Sequence, residues 1–145
     1  MKIKDGAKVF IKNEKLGKYL FFLRDDKPTI PFPNTYGLLG GGIEEGEQPL
    51  DALRRELIEE TNIEVFDIKE LGSMNVTVTI YNGKDSQSKI IRGFLFLAKT
   101  EASLDDAELY EGQRLDYFSI EEALKQVNLS QPVRDYINNF REKLI

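Results

Sequence analysis

An α/β sandwich, with helices on both faces of a mixed sheet, is the fold class this sequence predicts. Three observations carry it. Runs suited to strands recur at 7–13, 18–25, 64–83 and 89–100. Leu50, Leu53 and Leu57 repeat at helical spacing after a glycine-rich turn. Val133, Tyr136, Ile137, Phe140 and Leu144 repeat in the same way at the C-terminal end. One helix is therefore expected on each face of the sheet.

Taken in order, AKVFIKN (7–13) alternates as a strand, and KYLFFLRD (18–25) is its hairpin partner across NEKLG. The proline-bearing stretch 25–37 is too long for a simple turn, and loops of that length are often functional. Pro49 suits a first helical turn. Asn62 stands where a left-handed cap would end that helix. Segment 64–83 closes on an Asn-Gly turn, and Gly93 within 89–100 marks a bulge or a close approach. QRLDYFS is a last strand, Ser119 and Glu122 form a capping box, and 131–145 is the terminal amphipathic helix. One domain over residues 1–145 follows, with no linker, repeat or low-complexity tract.

The chain's 145 residues carry a net charge of −5 and contain neither cysteine nor histidine. Disulfides, thiol catalysis, Ser-His-Asp triads and the usual zinc sites are thereby excluded. Acid–base chemistry near neutral pH falls to carboxylates, a lysine, a tyrosine or a metal-bound water. No basic stripe answers a nucleic-acid backbone, so no nucleic-acid partner is expected. No apolar run of membrane-spanning length and no signal-peptide core appear, so no membrane partner and a cytoplasmic address are expected.

Glu56, Glu59 and Glu60 fall within an arc of roughly 100° on the first helix, beside its leucine stripe. Three acids that close repel one another, and a hard cation would remove the conflict. Mg²⁺ takes oxygen ligands and commonly joins carboxylates to substrate phosphates. A metal site is expected there.

The stretch 41–63 resembles the signature of the Nudix hydrolase family, G-x5-E-x7-R-E-U-x-E-E-x-G-U, where U is a bulky aliphatic residue. Gly41, Glu47, Arg55, Glu56, Leu57, Glu59, Glu60 and Ile63 fill eight of its nine positions over 23 residues. Asn62 stands where the family has glycine, and Leu39 where many members have proline. The resemblance implies the Nudix α/β/α sandwich over the whole chain, with a mixed sheet, the signature loop-helix and a C-terminal helix.

It also implies water attack on a diphosphate linked to a nucleoside. Glu56, Glu59 and Glu60 would hold Mg²⁺, with Mn²⁺ as an alternative ion and the Gly41 carbonyl as a further ligand. Glu56 and Glu59 both remain candidates for general base. Arg55 joins this catalytic set by bracing an acid such as Glu44, with Glu47 in support. Relatives of the MutT type often carry an arginine where Arg24 stands, so Arg24 is either a phosphate contact or a solvated arginine. They also place a metal-binding glutamate in a Glu-Gly-Gln segment, which makes Glu111 a ligand candidate. Asn34 and Tyr36, just before the signature, are candidates to touch substrate, and Tyr36 suits the core equally well.

Chain length and the Glu-Gly-Gln segment favour a MutT-like (deoxy)nucleoside triphosphate pyrophosphohydrolase. An ADP-ribose or nucleotide-sugar pyrophosphatase is the first alternative, and a non-catalytic nucleotide-sensing module the second. A small nucleotide is the expected partner in each case, with homodimers common among such enzymes. Phe22, Tyr81, Phe94 and Tyr117 are candidates to stack a base.

Overall fold

The computed structural model describes residues 3–144. Met1, Lys2 and Ile145, the ends of the expected 1–145 domain, lie outside the described residues. Strands β1 (Gly6–Asn13), β2 (Lys18–Leu23), β3 (Tyr36–Gly37) and β4 (Leu39–Gly42) precede helix α1 (Pro49–Glu60). The long strands β5 (Phe66–Asn82) and β6 (Asp85–Lys99) follow, then β7 (Arg114–Phe118), α2 (Ile120–Leu124) and α3 (Gln131–Phe140). A 3-10 turn, Arg141–Lys143, continues α3, so the terminal helix stops short of the expected 131–145.

The described strands form one seven-stranded mixed sheet in the order β3-β2-β1-β6-β5, with β4 paired to β1 and β7 to β2. β1 runs parallel to β6, with Gly6 opposite Gly93, and antiparallel to both β2 and β4. Alternation along β1 divides the core. Ala7, Val9 and Ile11 join Leu20, Leu53, Leu57 and Phe96 beneath α1. Phe10 joins Phe21, Leu95, Tyr136, Ile137 and Phe140 beneath α3. Each fully buried leucine contributes about 1.5–3 kcal/mol relative to exposure. The expected sandwich, with α1 and α3 on opposite faces, is the observed one.

β5 and β6 pair continuously from Met74–Gly93 out to Asn82–Asp85 and turn through Gly83 and Lys84. The hairpin thus reaches well beyond the end of β1, whose pairing with β6 stops at Gly93. Gly93 is a close approach: a Cβ there would lie 3.0 Å from the Tyr136 hydroxyl. The register irregularities fall instead in β5, between Phe66 and Lys69 and between Glu70 and Gly72.

The end of α1 departs from expectation. Its C-cap is Thr61 in an extended conformation, and Asn62 does not adopt the left-handed one. The reason is long-range pairing. Thr61 bridges to Leu109, its hydroxyl donates to the Glu108 carbonyl, and the Asn62 side chain bonds Asp106 O and Glu108 N. Those partners replace the local cap a glycine would have given.

Candidate active site

Two glycines of β4 form the floor of the site. Gly40, at φ 125°, packs so tightly on β1 that a Cβ would stand 2.0 Å from the Ala7 carbonyl oxygen. Its N–H donates to Glu60 Oε1 at 2.8 Å. Beneath Glu56, a Cβ on Gly41 would lie 2.4 Å from the carboxylate carbon. A backbone without side chains therefore lets two acids of α1 settle directly onto residues 40 and 41.

Glu60 is only 6% exposed. Burial pushes its carboxyl up to about 7, while Lys8 and the Gly40 N–H pull the other way. Lys8 on β1 donates to the Gly40 carbonyl at 3.1 Å, and burial lowers its ammonium while Glu60 opposes the shift. The sequence reading missed Lys8. Its available signal was a charge on the strand face that also carries Phe10.

Arg55 braces Glu47 rather than the expected Glu44. Its Nε donates to Glu47 Oε2 at 2.8 Å, and its two terminal nitrogens reach Glu56, Gly42 O and Glu47 Oε1. Glu44 instead pairs with Lys4 at 2.9 Å. The physical reason lies in the loop, where Glu47 Oε1 accepts the Glu44 N–H and turns its own carboxylate toward α1.

Glu59 lies outward, its side chain more than half exposed and 3.4 Å from Arg55. Among the described residues no three acids stand close enough to hold a metal ion as placed. So α1 does not gather its three carboxylates at one point, as its helical arc alone suggested. The donor set nevertheless suits a hard cation: Glu56 and Glu60 are oxygen donors held by the glycine cradle. Glu111, exposed on the loop before β7, adds negative charge felt by Glu60, Lys8 and Arg24.

The Glu111-Gly112-Gln113 segment is docked onto the end of β2. Gln113 N donates to Leu23 O, and its side-chain amide to Arg24 O and Asn34 Oδ1. Arg24 is no solvated surface group: its guanidinium lies over the Phe22 ring and Nε donates to Pro31 O at 2.9 Å. Asn34, with φ 55°, serves the loop. Tyr36 is core, 3% exposed, with its hydroxyl bonded to Asp116 and Arg114.

Part of this assembly borders a cleft of about 330 Å³, within the range of small-ligand sites. Lys8, Arg24, Gly41 and Glu56 line one part of it, and Val76, Val78, Ile80 and Ile91 of the hairpin line another. Asn34 and Tyr36 are not among its lining residues, nor are Phe22, Phe94, Tyr81 or Tyr117. Phe22, Phe94 and Tyr117 pack in the core beneath α1, and Tyr81 is exposed on the hairpin.

A mixed sheet thus lies between α1 and α3, with the Glu56 and Glu60 carboxylates seated on the glycines of β4 near Lys8 and Arg24. The NUDIX domain model matches residues 2–140, and the chain belongs to the Nudix family. It is a hydrolase of phosphorus-containing acid anhydrides that acts on nucleotide derivatives. The fold is similar to that of the MutT protein from Methanosarcina mazei Go1 (21% identity, 99% of this chain and 98% of that one, TM-score 0.66). It is also similar to a C. elegans Ap4A hydrolase in a binary complex (21%, 97% and 98%, TM-score 0.66). The NUDIX domain of Shewanella oneidensis NrtR, complexed with ADP ribose, shares it as well (19%, 100% and 91%, TM-score 0.68). No curated protein matches the chain. No described helix is long and apolar enough to cross a membrane.

Proposed function

We propose that the protein hydrolyses (deoxy)nucleoside triphosphates to nucleoside monophosphate and pyrophosphate with the help of a divalent cation, Mg²⁺ or alternatively Mn²⁺. The observation that carries this reading is the meeting of Glu56, seated on Gly41, with Lys8 and Arg24 in one cleft. Glu56 and Glu60, with the Gly41 carbonyl and Glu111, are the groups that would hold the ion, and Glu59 is exposed and able to swing toward it. When bound, such an ion neutralises phosphate charge and makes a coordinated water more acidic.

The remaining work belongs to the chain. Lys8 and Arg24 bind phosphoryl oxygens, Arg24 with the planar fork suited to them. Water attacks one phosphorus, the new P–O bond forms as the bridging P–O bond breaks, and pyrophosphate leaves. Glu56 and Glu59 are the two acids able to accept the proton of that water. Arg55 acts as a positioning residue that fixes the Glu56 carboxylate. The reading carries with it a cytoplasmic address and a single domain over residues 1–145.

Product analysis with Mg²⁺ over nucleoside triphosphates, ADP-ribose and nucleotide sugars tests the proposal. Monophosphate and pyrophosphate released from triphosphates support it. Release of monophosphate plus a sugar phosphate, with triphosphates left intact, moves the assignment to the ADP-ribose or nucleotide-sugar branch, and binding without turnover makes the protein a sensor.

A further inference from the structure

On the tip side of Gly93 the β5–β6 hairpin stands clear of the rest of the sheet. β1 pairs with β6 only from Gly93 onward, and no described strand lies beside residues 85–92 on that side. The Arg92 N–H shows which backbone groups face the gap, because it points away from β5 and donates to Asp5 Oδ1 at 2.9 Å. Backbone groups alternate sides along a strand, so the N–H and C=O groups of Ser86, Ser88 and Ile90 face the gap as well. Asp5 closes the edge at Arg92, and before it the chain comes from the α3 face, where Ile3 joins the core. The turn at Gly83 and Lys84 closes the other end. Between these two stops residues 84–90 form an open edge with Gln87 at its middle.

Natural sheets guard such edges with proline, a bulge or a covering loop. This stretch has no proline, and it pairs with β5 without a register shift, since the irregularities all lie before Ser73. Its side chains from Asp85 to Ile90 are exposed, Ile90 at 67%. Two of them are charged, Asp85 and Lys89, opposite in sign and equidistant from Gln87. Lys89 reaches the Ile3 carbonyl at 3.4 Å, the long limit of a hydrogen bond.

We propose that the open edge of β6 is a docking site for a second copy of this chain, the two edges pairing antiparallel about Gln87. The inference is independent of the substrate. In that register Asp85 stands opposite the second copy's Lys89, and Lys89 opposite the second copy's Asp85. Ser86 faces Ser88, and Gln87 faces its own copy. The charged pairs fall at non-hydrogen-bonded positions, where opposing side chains stand closest. Neighbouring registers lack this match. Centring on Ser88 opposes Lys84 to Arg92, centring on Lys89 opposes two lysines, and centring on Ser86 forms neither ion pair. The edge is thus complementary to itself, as a two-fold interface requires. A single strand pairing is smaller than an obligate interface, so the dimer forms in a concentration-dependent way.

The test uses the full chain. Sedimentation of the wild type over a wide range of concentration should show a monomer–dimer equilibrium. Asp85→Lys and Lys89→Asp each set like charges opposite one another twice, and each should weaken the dimer at least about tenfold. The double variant exchanges the two charges and should restore it. All three should keep the wild-type Tm, since both positions are exposed. The register is read separately, because the chain has no cysteine of its own. Gln87→Cys places two thiols opposite each other on the axis, at about 4.5 Å between Cα atoms, a spacing that a disulfide spans. Ser88→Cys places them off the axis, beyond about 7 Å, where a disulfide does not form. With oxidised glutathione the first variant should give a covalent dimer and the second should stay monomeric. A wild type that is monomeric at every concentration would overturn the proposal, as would a dimer indifferent to both charge reversals or equal cross-linking of the two cysteine variants.

Discussion

Arg55 shows how one residue couples the loop to the catalytic helix. Its bonds to both Glu47 oxygens hold that carboxyl down to about 2, against an ordinary value of 4.5. The sign follows from linkage: the folded protein binds fewer protons here than the unfolded chain between those values. The pair's stabilisation is therefore complete above about pH 4.5 and is lost as pH falls toward 2. Glu47→Gln should lower Tm at pH 7, and the difference from wild type should close on acidification. Thermal unfolding at a series of pH values checks this, and a difference that ignored pH would contradict it. The identities of Arg55 and Glu47 were legible from motif spacing, but their partnership was not. Which acid an arginine reaches depends on the fold of the turn at 42–48, and residue order alone favoured Glu44 as readily.

At the scale of elements, β4 and α1 form a unit in which two adjacent glycines do different work. Gly40→Ala puts a Cβ into backbone atoms of β1 at a left-handed φ, where nothing can yield. It should cost at least about 3 kcal/mol of stability. In Gly41→Ala the nearest atoms the new Cβ meets belong to the Glu56 carboxylate, the far end of a flexible side chain. That variant should keep Tm within a few degrees of wild type yet lose most turnover, because Glu56 is displaced. Denaturant unfolding and kcat measured together separate the two, and comparable stability losses would contradict the assignment. The strands and helices themselves were largely legible, because each declares itself through local periodicity. The end of α1 was not, because Thr61 and Asn62 take partners from residues 106–109, more than forty positions away.

Across the whole molecule the same division holds. The acids of α1 were legible because one helix carries them all. The cleft was not, since the N-terminal segment, the 24–35 loop, the far part of the hairpin and the start of α3 meet only when the sheet is assembled. Lys8 and Arg24 come together with Glu56 only through that meeting. Tyr36 loses its candidate role in it, pointing instead into the core beside Phe118. The account stands or falls on whether the cradled acids hold a cation that hydrolysis needs. Glu60→Gln removes charge without volume and retains an oxygen to accept the Gly40 N–H. The decisive measurement is triphosphate hydrolysis as a function of Mg²⁺ concentration in wild type and Glu60→Gln. A loss of about 10²- to 10³-fold in metal-dependent kcat, with Tm unchanged, is the expected result. Equal rates and equal Mg²⁺ dependence in the two proteins would contradict it.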